Sequence, residues 1–214
     1  MFNPYHSWWF NDQFVVVQSN NAPYLPSSGS QLLEFIPAGA MAQPAAGAQD
    51  IAQIGVGDKT RNNCFRFNFF GFNGGCDSHP GEAFCEFIVS GYRYDPLYGF
   101  ELRVVSQTVW LPTCSGTDGC GLSYQVLDGF TNLTSILVSV LVNGQPRVWW
   151  ADDIRLGWTD NSCPAAFGRQ NAPSRKMKRT GSTAHWEWTS DGVVRKDADA
   201  KSRVRGWVRG VLGV

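Results

Sequence analysis

At 214 residues, with 14% aromatic and only 17% charged side chains, the chain has room for one all-β domain and an appendage, and lacks the charged amphipathic periodicity of a helical bundle. Its formal net charge of zero conceals a split, because residues 1–170 carry eight Lys/Arg against fourteen Asp/Glu and residues 171–214 carry ten against four. No apolar run approaches the ~20 residues of a membrane span, and Met1 to Trp9 has neither the basic nor the apolar region of a signal peptide.

Taken in order, residues 13–18 and 31–36 form two short strands separated by a Pro/Ser/Gly stretch. Residues 37–59, rich in Ala, Gly, Gln and Pro without a period, read as a long surface loop with at most a helical turn. Alternation then places Phe65, Phe67 and Phe69 on one face against Arg66 and Asn68. Strands follow over 86–94, 101–111, 122–127 and 133–142, with loops between them. Asn143-Gly144 is a strong hairpin signal and predicts that 133–142 pairs antiparallel with 147–158. About eight strands without helical alternation define an all-β, two-sheet antiparallel sandwich of jelly-roll type over 1–170. Residues 171–214, which include the basic cluster Arg175 to Arg179, read as an irregular basic tail, and a nucleic-acid-binding role for it is disfavoured.

The last strand concentrates the chemistry. At period two, Val148, Trp150, Asp152, Ile154, Leu156 and Trp158 share the core face, while Trp149, Asp153 and Arg155 face away. A carboxylate among apolar side chains needs a partner. Two readings stand for Asp152 and Asp153: a structural calcium held by oxygen ligands, or hydrogen bonds to backbone amides or to an Arg such as Arg147. A bulge between Trp149 and Asp153 exchanges the two faces.

Cys64, Cys76, Cys85, Cys114, Cys120 and Cys163 lack zinc-type spacing and fit loop-closing disulfides in an oxidising compartment. Six cysteines allow 15 connectivities; proximity selects Cys76–Cys85 and Cys114–Cys120 and leaves Cys64 and Cys163 over. Asn132-Leu133-Thr134 is a glycosylation sequon at Asn132. The three histidines are scattered, and no nucleophile elbow, phosphate loop or dinucleotide fingerprint occurs. Glu82, Glu86, Asp95, Glu101 and Asp128 form no local acid/base pattern of the kind a glycosidase needs. Tyr92, Tyr94, Tyr98, Trp110 and Trp149 are the candidate stacking surface for sugar rings.

Phe67 to Asp77, Ser90-Gly91-Tyr92-Arg93-Tyr94, Gln107 to Cys114, Phe130 to Thr134 and Trp149 to Trp158 through Cys163 together resemble a family of secreted fungal domains of unknown function, over roughly residues 5–170. The resemblance implies an extracellular or cell-wall, disulfide-bonded β domain and brings no catalytic residue. Members commonly carry a further Cys-Arg shortly after the position of Cys163, where this chain has Gly168-Arg169. More distantly, the Asp-Asp-Ile-x-Leu strand is similar to the last strand of calcium-containing carbohydrate-binding modules. The expectation is therefore a non-catalytic extracellular module that binds polysaccharide or glycoprotein glycans. The alternatives are a structural or adhesive surface module and, behind it, a glycoside hydrolase.

Overall fold

The computed structural model describes residues 7–44, 46–79, 81–114 and 119–171, together with the backbone of two strands at 185–189 and 192–196. The strands are β1 (Trp9–Phe10), β2 (Phe14–Gln18), β3 (Tyr24–Leu25), β4 (Gln31–Phe35), β5 (Ala52–Gly55), β6 (Phe67–Cys76) and β7 (Phe84–Asp95). They continue as β8 (Phe100–Pro112), β9 (Cys120–Gly121), β10 (Ser123–Val126), β11 (Ser135–Val142), β12 (Gln145–Pro146) and β13 (Trp149–Trp158), and one helix, α1 (Cys163–Gln170), follows. Sheet A has the order β1-β5-β11-β7-β8 with β12 also on β11, and sheet B has the order β10-β6-β13-β4-β2. Every pairing within these two sheets is antiparallel. The molecule is the expected all-β sandwich.

Alternation along the strands builds the core between the sheets. Phe87, Val89, Val109, Leu111, Ile136, Val138 and Val140 from sheet A meet Phe14, Phe35, Phe67, Phe69, Phe72 and Trp149 from sheet B. A second, smaller cluster of Tyr24, Leu32, Cys114 and Trp150 lies apart from it. It forms where β3 pairs in parallel with β9 and where Asp77 bridges to Cys114. The Tyr24 ring lies over β6 so closely that a Cβ on Gly75 would come within 2.4 Å of it, and this closeness requires glycine at position 75.

Two disulfides form, Cys76–Cys85 and Cys114–Cys120. The first links the end of β6 in one sheet to the start of β7 in the other, and the second closes the loop beside the small cluster. Cys64 and Cys163 remain free thiols.

Two expectations are corrected. The Asn143-Gly144 turn does reverse the chain, but its hairpin is only Leu141↔Pro146 and Val142↔Gln145. The chain then leaves sheet A, and β13 inserts in sheet B between β6 and β4. The apolar run after the turn fills the centre of the opposite sheet, where both faces of its first residues are covered. Secondly, the loop expected over 37–59 contains β5, whose Ala52 and Ile54 are buried against β11. Four residues are too few for a detectable period. After β13 the chain forms α1, capped by Ser162 Oγ accepting from the Ala165 amide with Pro164 in the first turn.

Beyond residue 171 the described residues are β14 (His185–Thr189) and β15 (Gly192–Lys196), which make an antiparallel hairpin. The Arg175–Arg179 cluster lies outside the described residues.

Candidate functional site

The Asp152/Asp153 pair is the first candidate, and a bulge decides it. Register shifts between Asp152 and Arg155, and Asp153 takes a left-handed φ of 48°. Ahead of the bulge the odd residues Trp149 and Ala151 face the main core; behind it the even residues Ile154, Leu156 and Trp158 do. Asp152 is consequently not in the core but half-buried at the surface. One Asp152 oxygen accepts from the Ser28 amide and the other from the Asp153 amide, each at 2.8 Å. Asp153 accepts from the Ser28 hydroxyl at 2.8 Å and from the Asn73 side-chain amide at 3.2 Å. Together they hold the loop around Ser28 onto sheet B. Arg147, the expected cationic partner, instead pairs with Glu82 at 2.8 Å and contacts His79. Among the described residues no three His, Cys, Asp or Glu side chains converge as a metal cluster.

The aromatic candidates divide. Trp149 is 3% exposed in the core against Phe14, Phe35 and Phe87, and Tyr92 is buried too, so neither presents a ring to a ligand. Period-two counting placed Trp149 outward because it cannot see the bulge. Trp110 and Tyr98 are each 61% exposed but stand apart in the sheet, Trp110 opposite Glu86 and Tyr98 at the tip of the β7–β8 hairpin beside Phe100. Tyr94 is half-buried and lines a concave site.

That site is a cavity of about 500 Å³ lined by Asn63, Arg66, Arg93, Tyr94, Asp95, Pro96, Leu102, Val104, Asn132, Thr159 and Asp160. Its size suits a small ligand. The lining comes from several elements: the turn before β6, the β7–β8 hairpin, the loop before β11, and the segment after β13. Asn68 Oδ1 knits this floor, accepting from the Asn132 amide and the Thr159 hydroxyl, both at 2.9 Å. Asn132, the sequon residue, takes a left-handed φ of 57° here, and its carbonyl accepts from Arg93 Nε at 2.8 Å. The sequon's Thr134 is fully buried, its hydroxyl engaged with Tyr92 and Tyr94.

Two guanidinium groups face this space. Arg66 is only 8% exposed; its Nη2 donates to the Tyr94 carbonyl at 3.2 Å and to Asn63 Oδ1 at 3.3 Å, while its Nη1 has no partner among the described residues. Burial pushes its pKa below the usual arginine range, the nearby Arg93 charge pushes the same way, and Glu101 opposes. The two carboxylates of the lining are tied to their own turns, Asp95 accepting from the Leu97 amide at 2.7 Å and Asp160 from the Ser162 amide at 2.8 Å. The Ser162 bonds hold Asp160 below the usual carboxylate range. Of the five carboxylates weighed from the sequence, only Asp95 belongs to this lining; Asp160, Arg66 and Arg93 carried no sequence pattern that singled them out.

A family model described as a domain of unknown function, DUF7371, matches residues 1–169. The chain belongs to the DUF7371 family. The expected resemblance holds at that level, a family without an assigned activity. Among curated proteins none matches this DUF7371 chain. Among solved structures it is similar to a DUF4465 family protein from Bacteroides caccae, at TM-score 0.45 and 12% identity over 71% of this chain and 79% of that one. It is also similar to the CBM22-1 xylan-binding domain of Paenibacillus barcinonensis Xyn10C (TM-score 0.37, 12% identity, 72% and 87% covered). A third is the C-terminal family 22 carbohydrate-binding module of Clostridium thermocellum Xyn10B (TM-score 0.36, 15% identity, 75% and 91% covered). Likeness at this level assigns no role to any residue of the DUF7371 domain.

Proposed function

We propose that the domain is a glycan-binding module whose ligand sits in the cavity between the β7–β8 hairpin and the segment after β13. The carrying observation is the composition of that cavity: amide and hydroxyl groups of Asn63, Asn132 and Thr159, the Tyr94 ring and two arginines line about 500 Å³ of space. Sugars need this combination of polar groups and an apolar plane. Binding without hydrolysis is the better reading, because the lining carboxylates Asp95 and Asp160 each have an oxygen engaged by amides of their own turns. The two disulfides support an oxidising, extracellular setting. Glycan-array and insoluble-polysaccharide pull-down measurements test the reading. Retention that falls at least tenfold in Tyr94→Ala and Asn132→Ala, with unfolding midpoints unchanged, supports it. Absence of retention on chitin, glucans, mannans and acidic polysaccharides refutes it.

An adhesive surface module is the second reading, favoured by one observation: Leu97 is 84% exposed at the hairpin tip, with Tyr98 and Phe100 exposed beside it. Adhesion that disappears in Leu97→Ser while glycan retention is absent selects it.

A further inference from the structure

The two arginines of the cavity donate hydrogen bonds to neutral acceptors. Arg93 donates from Nε to the Asn132 carbonyl and from Nη2 to the Thr131 carbonyl at 3.2 Å; Arg66 donates to the Tyr94 carbonyl and the Asn63 amide oxygen. The Arg147–Glu82 salt bridge involves neither guanidinium of the cavity. They are near enough that the charge on Arg93 acts on Arg66. Like charges sharing a partly enclosed space destabilise one another, and a buried guanidinium with an unused Nη1 bears a desolvation cost that hydrogen bonds to carbonyls only partly offset. Glu101 offsets some of that charge. Asp95 and Asp160 line the same space, but each has an oxygen engaged by amides of its own turn.

We propose that the cavity is selective for acidic glycans, with the sugar carboxylate received between Arg66 and Arg93. The inference rests on the reading of the cavity as a glycan site. A guanidinium is planar, permanently charged and matched to two carboxylate oxygens, so an oxyanion entering beside this pair gains charge-assisted hydrogen bonds and relieves the repulsion between the arginines. A neutral sugar of the same shape gains only the polar and ring contacts. Asn63, Asn132 and Thr159 are placed to take its hydroxyls.

Calorimetric titration of the full chain with an oligogalacturonate, the same oligosaccharide as its methyl ester, and a sulfated galactan oligosaccharide tests the inference. The ester keeps the shape and removes the charge. The expected result is at least tenfold tighter binding of the acid than of the ester, reduced to less than threefold in Arg93→Gln and weakened by raising salt. Arg93→Gln is the primary variant because Arg93 is less buried than Arg66; Arg66→Gln is the second, with circular dichroism checking its fold. Equal affinity for acid and ester overturns the inference and leaves the glycan reading standing. A preference that persists in both variants overturns the assignment to this pair. Binding of the sulfated oligosaccharide alone overturns the carboxylate form, and binding of none of the three, or of any neutral glycan, overturns both readings.

Discussion

A glycine in α1 marks where a third disulfide can be introduced. A Cβ built on Gly168 lies 3.0 Å from Cys64 Sγ and 3.7 Å from Cys64 Cβ. The Cβ separation falls in the disulfide range of about 3.5–4.5 Å, and 3.0 Å is what one S–S and one C–S bond leave between a Cβ and its partner sulfur. The helix is already fixed over this spot: Arg169 Nη1 donates to the carbonyls of Cys64 and Asp160, both at 2.8 Å, and its guanidinium lies over the Trp158 ring. Gly168→Cys is therefore expected to oxidise onto Cys64 without backbone movement. In the chain-entropy account a closed loop of roughly 100 residues stabilises by up to about 4.7 kcal/mol, an upper bound for an engineered bond. At about 2–4 °C per kcal/mol for a domain of this size, the melting temperature rises by at most about 10–20 °C. Thiol titration in denaturant without reductant should find two free thiols in the parent, Cys64 and Cys163, and one in the variant. The stabilisation should vanish with reductant and in the Cys64→Ser background. A folded variant that still shows three free thiols after oxidation refutes the seating of α1 over Cys64.

Trp149→Ala removes a fully packed core side chain and is expected to cost about 3–5 kcal/mol in denaturant unfolding, whereas Trp110→Ala, at an exposed position, stays within about 0.5 kcal/mol; the reverse order would refute the placement of the bulge. Asp152→Ala frees the amides of Ser28 and Asp153 and should cost about 1.5 kcal/mol, with limited proteolysis near Ser28 as the sensitive readout; unchanged stability and cleavage contradict the anchoring role. Burial pushes the Tyr24 phenol from its ordinary 10 up to about 12. Because the folded value is the higher one, the stability it supports is intact below pH 10 and is lost as the pH rises through about 10 to 12, by roughly 2–3 kcal/mol. Tyr24→Phe should flatten this alkaline limb while losing the 2.9 Å bond to the Cys76 carbonyl; an unchanged limb refutes the assignment. Glu82 is held below the carboxylate range by the His79 amide and Arg147, so its contribution is present above the ordinary carboxylate pKa and fades on acidification, and Glu82→Gln should shallow the acid limb of a melting-temperature profile.

The sandwich was legible because alternation in Phe65–Phe69, 86–94 and 101–111 is a local property, and so was the pairing of nearby cysteines. What escaped was non-local. Asn143-Gly144 announces a turn, yet which sheet receives the chain after it depends on the apolar demand of β4 and β6, far away in sequence. Period-two counting along β13 fails at Asp153 because one bulge exchanges the faces, and it misplaced both Trp149 and Asp152. The cavity was least visible: Arg66, Arg93, Asn132 and Asp160 lie on four separate segments and are joined only by the closed sandwich, and Tyr94 alone among the expected contacts lines it.

The position of β13 also bears on how the chain is made. It is the last strand of the sandwich to be synthesised and the central one of sheet B, joining β6 to β4. A chain emerging residue by residue can zip the β7–β8 meander of sheet A and oxidise Cys76–Cys85 early. Its β2–β4 and β6–β10 ribbons must wait, each with an open apolar edge, until residues Trp149–Trp158 arrive between them. Interruption before that point leaves two sticky half-sheets instead of a smaller stable domain.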